Sequence, residues 1–151
     1  MLISSKIEKL GQAKTSLQNE KLVAFDVEAE GLDTRLCAIK GIGFGTNKQQ
    51  FFIPFPHSIP EDTLYNFFTW LFQRTIIFHN AKYDMEMLLY NNLPIPKVFH
   101  DTMLMSWLID ENKKHGLKGL VKEIFGREVK KWKELDNQVT LLRGEEDIMR
   151  E

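Results

Sequence analysis

The stretch Lys21-Leu22-Val23-Ala24-Phe25-Asp26-Val27-Glu28 decides the fold class. Its apolar run from Leu22 to Phe25, resumed at Val27, has the length and make-up of a buried strand, and its end carries two acids. Side chains alternate across a strand, so Asp26 and Glu28, two positions apart, project from one face. Carboxylates side by side repel each other unless a cation sits between them. Acids also close strands in domains with no such chemistry, so the pair is weighed with what the rest of the chain supplies.

Upstream, Ile3 to Leu17 has helical spacing and reads as a lead-in helix within residues 1–20. Downstream, Gly31-Leu32-Asp33 turns the chain, and Ala38 to Gly45 with Gln50 to Pro54 forms a hairpin around Thr46-Asn47-Lys48. Pro60 to Phe72 opens on Pro-Glu-Asp, a helix start, and sets Leu64, Phe67, Phe68 and Leu71 on one face. Thr75 to His79 is a second buried strand, followed by a helix from Lys82 to Tyr90 with Met85, Leu88 and Leu89 as apolar positions. Leu93 to Pro96 breaks the chain, and Val98 to His100 is a short extended piece. Helices follow over Thr102 to Ile109, where Met103, Met105, Trp107 and Leu108 read as core, and over His115 to Phe125, ended near Gly126. Residues 127–144 are polar and irregular, and Glu145 onward begins another helix. Strands first in a hairpin and then alternating with helices predict an α/β fold, a mixed sheet flanked by helices. The 151 residues fit a single domain.

The second chemical feature is Phe78-His79-Asn80-Ala81-Lys82-Tyr83-Asp84, a strand passing directly into a helix with Asp84 in its first turn. An acid there is stabilised by the helix dipole, and Asn80 is a natural N-cap, so both have purely structural readings. Together, however, Asp26, Glu28 and Asp84 stand at the ends of two strands expected to be neighbours, where open α/β sheets collect ligands. Oxygen-only ligation selects Mg²⁺ or Mn²⁺ over zinc. Two such ions roughly 3.5–4 Å apart activate water and stabilise a leaving oxygen, which points to metal-assisted phosphodiester hydrolysis.

Composition narrows the classes. Hydrophobic residues at 43% and charged residues at 27% are ordinary for a soluble globular protein. No apolar stretch reaches the about 20 residues needed to span a bilayer, and Met1 to Leu10 lacks the apolar core of a signal peptide. The single cysteine, Cys37, excludes an intrachain disulfide and a multi-cysteine zinc site, and an intracellular, cytoplasmic setting is expected. The net charge of −1 does not announce a nucleic-acid binder. Yet Lys113, Lys114, Lys118, Lys122, Arg127, Lys130, Lys131 and Lys133 fall together against only Glu123 and Glu128. That run is either a phosphate track beside the acids or a solvated face.

Three segments resemble the DEDD 3′→5′ exonucleases in the form carried by DNA polymerase I of family A. Leu22 to Asp33 (LVAFDVEAEGLD) resembles the first motif, and Ile76 to Leu88 (IIFHNAKYDMEML) the second. Phe99 to Asp110 (FHDTMLMSWLID) with His115 to Leu120 (HGLKGL) resembles the segment leading to the third. The resemblance implies a ribonuclease-H-like fold and a proofreading enzyme that removes nucleotides from single-stranded DNA 3′ ends with two divalent cations, Mg²⁺ or Mn²⁺. It implies that Asp26 bridges both metals, that Glu28 binds one beside the terminal nucleotide, and that Asp84 holds the other. Leu32 matches a position that wedges against the terminal bases, Asn80 and Tyr83 match positions that shape the site, and Trp132 falls near an aromatic contacting the single strand. A covalently attached polymerase domain is the expected partner beside DNA.

The family's third motif, a Tyr or His four residues before a fourth metal-binding Asp, is missing: Asp147 has Arg143 at that spacing. A C-terminally truncated domain, with that carboxylate beyond Glu151, is therefore expected, against a domain that has lost it. The alternatives are a ribonuclease D-like RNA exonuclease and a silent structural or DNA-holding module of the same fold. His57, His79, His100 and His115 lack metal-ligand spacing and are expected to be structural; Gly41, Gly43 and Gly45 read as strand glycines admitting close packing.

Overall fold

A computed structural model describes residues 2–56 and 58–128. Helix α1 (Leu2–Leu17) leads into strand β1 (Leu22–Ala29), and the hairpin β2 (Ile39–Gly45) and β3 (Gln50–Pro54) follows. Helix α2 (Glu61–Leu71), β4 (Thr75–Phe78), α3 (Ala81–Tyr90), β5 (Phe99–Asp101), α4 (Thr102–Ile109) and α5 (Leu117–Phe125) complete the order. The sheet runs β3-β2-β1-β4-β5; β1 pairs antiparallel with β2, and β2 with β3, whereas β1–β4 and β4–β5 are parallel. The mixed α/β architecture expected from the sequence is present. Among the described residues no helix is long and apolar enough to cross a membrane.

Strand β1 alternates as its sequence requires: Val23, Phe25 and Val27 are buried on the face covered by α2. Phe25 is the hub there, its ring meeting Phe68 at 5.7 Å, Phe72 at 5.2 Å and Phe78 at 5.7 Å, all edge-on. The α2 face of Leu64, Phe67, Phe68 and Leu71 is buried as its spacing predicts. Arg74 fastens α1 to this layer: its guanidinium donates to the Leu17 and Gln18 carbonyls at the end of α1 and lies 3.8 Å from the Trp70 ring centre. In the hairpin, a Cβ on Gly41 would stand 1.9 Å from Cζ of Phe52, so the Phe52 ring can lie there only over a glycine.

Helix α3 is found as expected, with Ala81, Asp84, Met87 and Leu88 buried and Leu89 exposed. One expectation fails. In α4 no residue is buried: Met105, Trp107 and Leu108 are exposed and Met103 only half-buried, so the core assignment of these residues is corrected. The helix is apolar nearly all round, and composition without a polar face carries no information about which side meets the core. It lies past β5, the outermost strand, where no described element covers it.

Candidate active site

The acids are gathered by a parting of two strands. β1 pairs with β4 only over Leu22–Ala24, against Thr75–Ile77, so beyond Ala24 that edge of β1 has no ladder partner. The Val27 N–H is taken by a side chain: it donates to Oδ1 of Asp84 at 2.7 Å. Asp84 is 3% exposed and is thus held against β1 between Asp26 and Glu28 in sequence, which a merely dipole-stabilising acid would not be. Asp26 and Glu28 share the β1 face opposite Val23, Phe25 and Val27, as strand alternation predicts.

The electrostatics follow from that gathering. Burial, then the charge of Asp26, pushes Asp84 up to about 7, and backbone hydrogen bonds offset this only in part. Glu28 is raised by burial, then by the Asp26 charge and the hydrogen bond between the two side chains, with Lys118 pulling the other way. Asp26 is also raised by loss of hydration around its carboxyl, offset by its bond to Glu28 and by His79. By surface area Asp26 is the more open of the two, whereas Asp84 is buried. Carboxylates brought this close together repel one another, so the cluster is short of positive charge.

That shortage, and donors that are all oxygen, fit a hard divalent cation. Among the described residues no three His, Cys, Asp or Glu side chains, Asp26, Glu28 and Asp84 included, stand close enough together to hold a metal ion as they are placed.

Of the remaining expected site residues, Tyr83 donates its hydroxyl to the Gly31 carbonyl at 2.5 Å and so ties α3 to the loop after β1. Leu32, on that loop, is 93% exposed. Asn80 occupies the N-cap position of α3 in the left-handed region, φ 78 and ψ 55, but its side chain makes no capping bond. Trp132, with Lys130, Lys131 and Lys133, lies outside the described residues, as does His57.

The cap that Asn80 does not supply comes from Asp101, a residue the sequence reading passed over. Its carboxylate accepts from the N–H of Asn80 at 3.1 Å and Ala81 at 2.8 Å, opening α3, and from Met103 at 2.9 Å and Leu104 at 3.3 Å, opening α4. Burial alone would raise its pKa, but these N–H donors outweigh burial and hold it below the ordinary carboxylate range. The signal was present in part, since Asp before Thr-Met-Leu is an N-cap signature for α4; its second duty crosses between elements. Two histidines have structural partners as expected: His79 Nδ1 lies 2.9 Å from Thr102 Oγ1, and His115 Nδ1 lies 2.8 Å from Ser106 Oγ. The basic run divides. Lys113 and Lys122 pair with Glu123 and Glu128 on the surface, whereas Lys118 bears on Glu28.

Residues 1–145 match a family described as 3′-5′ exonuclease. DNA polymerase I of Borreliella burgdorferi is 33% identical over 123 residues, which cover 76% of this chain and 13% of that protein. The chain therefore spans about an eighth of that curated relative. Among solved structures, Pol1 from M. smegmatis superimposes with a TM-score of 0.69 at 15% identity, over 81% of this chain and 22% of that one. Escherichia coli RNase D gives 0.68 at 16% identity, over 92% and 37%. Brucella melitensis NrnC with bound Mg²⁺ gives 0.65 at 18% identity, over 82% and 68%. These likenesses show a shared ribonuclease-H-like α/β fold.

Proposed function

The chain belongs to the 3′-5′ exonuclease family, and from that premise we propose that it removes nucleotides from single-stranded DNA 3′ ends, proofreading for a DNA polymerase to which it is covalently joined. The observation that carries the reading is Asp84 held on the Val27 N–H beside the Asp26–Glu28 pair, three acids with raised pKa values on one spot of a nuclease fold. The likeness to a bacterial DNA polymerase I supports DNA over RNA, and the cytoplasm as the setting.

Asp26, Glu28 and Asp84 would hold two divalent cations, Mg²⁺ or Mn²⁺. The chemistry such ions supply there is Lewis-acid activation of water and neutralisation of charge on the scissile phosphate. The chain's own residues prepare the place. Val27 fixes one Asp84 oxygen, and the raised pKa values mean that cation binding would displace protons. Leu32, exposed on its loop, would meet the terminal base, Asn80 and Tyr83 would shape the site, and Trp132 would stack on the incoming strand.

The test is degradation of a 5′-labelled single-stranded DNA in Mn²⁺ by this chain and by Asp26→Ala. The expected result is a ladder shortened from the 3′ end that disappears in the variant. Preference for an RNA strand of the same sequence would move the reading to a ribonuclease D-like enzyme. The absence of any ladder from either protein would leave the fold untouched and point to a truncated or silent site.

A further inference from the structure

The loop that carries Leu32 has little to hold it. Leu32 and Leu36 are 93% and 84% exposed, so neither contributes burial. An open cavity of about 430 Å³ is lined by Leu32, Asp33, Thr34 and Arg35 of the loop and by Glu86 and Tyr90 of α3. The loop's internal bonds shape the turn without fixing it to the body: the Asp33 side chain accepts from the Arg35 N–H at 3.1 Å, and the Leu36 and Cys37 N–H groups donate to the Asp33 carbonyl.

Two bonds cross from the loop to α3. One is Tyr83 to Gly31, already described. The other runs from the Thr34 hydroxyl to Oε2 of Glu86 at 2.9 Å; Thr34 is 7% exposed, the one buried side chain between Leu32 and Leu36. Glu86 sits two positions beyond Asp84, and its other oxygen is 3.9 Å from Lys82, a weak surface pair that leaves the Thr34 bond as its defined partner. The two crossings bracket Leu32, before and after it, on the helix that carries Asp84.

We propose that Thr34 and Glu86 are positioning residues: their hydrogen bond latches the loop to α3 and sets Leu32 at a fixed reach from the acids, where the 3′ terminus of a single strand arrives. The inference rests on the exonuclease reading for what Leu32 meets, and on geometry alone for the latch. Breaking the bond frees the loop without touching an acid, so it weakens capture of the strand and leaves the chemical step alone.

The experiment has two readouts on the full chain. Limited trypsin digestion follows cleavage after Arg35, which lies in the loop and is exposed. Thr34→Val and Glu86→Ala are each expected to speed this cleavage several-fold with the melting temperature little changed, whereas Thr34→Ser and Glu86→Gln, which keep donor and acceptor, behave as the unaltered chain. In the second readout, a 5′-fluorescein-labelled thymidine oligonucleotide is degraded in Mn²⁺. The same two breaking variants are expected to raise KM about three- to tenfold with kcat unchanged, corresponding to about 0.7–1.4 kcal/mol at 1.4 kcal/mol per tenfold. The double variant should match either single one, because both remove one bond. Unchanged trypsin cleavage overturns the latch. Faster cleavage with unchanged KM overturns the positioning role. If the unaltered chain degrades nothing, the exonuclease reading fails and the positioning role with it, while the digestion still decides whether the latch exists.

Discussion

Replacing Asp84 by Asn should make the metal-free fold more stable, by an amount that depends steeply on pH. Asn keeps a carbonyl oxygen for the Val27 N–H and removes the charge that burial and Asp26 oppose. Asp84 ionises in the fold at about 7 instead of 3.8. At about 1.4 kcal/mol per pKa unit, holding it as an anion at pH 8 costs the fold about 4 kcal/mol. The folded chain binds this proton more tightly than the unfolded one. The contribution of Asp84 to stability is therefore full below pH about 4, falls as pH rises toward 7, and is flat above that. The substitution should then raise the melting temperature in EDTA by roughly ten degrees at pH 8, taking about 2–4 °C per kcal/mol, and by almost nothing near pH 4. Mg²⁺ should stabilise the unaltered chain at pH 8 and the variant far less, since a ligand that binds only the folded state adds its binding free energy to stability. Thermal or urea unfolding followed by circular dichroism measures all of this. A variant that is less stable at pH 8, or a difference between the two chains that stays constant from pH 4 to 8, would refute the reasoning.

Asp101 should behave in the opposite sense. Its four N–H partners hold its carboxyl anionic, so its contribution is present above the unfolded pKa and is lost as pH falls through the lower folded value. Asp101→Ala should destabilise the chain at pH 7 by about 2–4 kcal/mol, the loss of two helix caps, with the deficit closing in acid; urea midpoints at two pH values would show it. Gly41→Ala drives a methyl into the Phe52 ring and should cost about 1–3 kcal/mol, relieved by adding Phe52→Leu. Additive losses in that double variant would count against the packing explanation.

How much of this was legible in the sequence varies with the range of the interactions concerned. KLVAFDVE announced both a strand and the shared face of Asp26 and Glu28, because alternation is a local geometric rule. The β2–β3 hairpin and the apolar face of α2 were equally local, and both are found where expected. Asp84 was legible as an acid at a helix start, but its grip on the Val27 N–H was not, since that bond exists only because β1 and β4 part after Ala24. Asn80 shows the reverse error. Its residue type suits an N-cap, yet a carboxylate from Asp101, 20 positions from Ala81, supplies the bond and leaves Asn80 in the left-handed region. Leu108 and its neighbours in α4 were misassigned because hydrophobicity says that a side chain would gain from burial, without saying that anything is there to bury it.

The three bonds that define the site all span the same gap in the chain: Val27 to Asp84 closes 57 positions, and Gly31 to Tyr83 and Thr34 to Glu86 close 52 each. Between them lie the hairpin, α2 and β4. Closing such a loop carries an entropy cost that no local turn or helix defrays, so it is met only by the core that forms around Phe25. The site accordingly exists only with the whole core around it, and neither residues 21–37 nor residues 75–90, excised as a peptide, would contain it. Grafting this chemistry onto another scaffold would require transplanting the separation of β1 from β4 along with the acids.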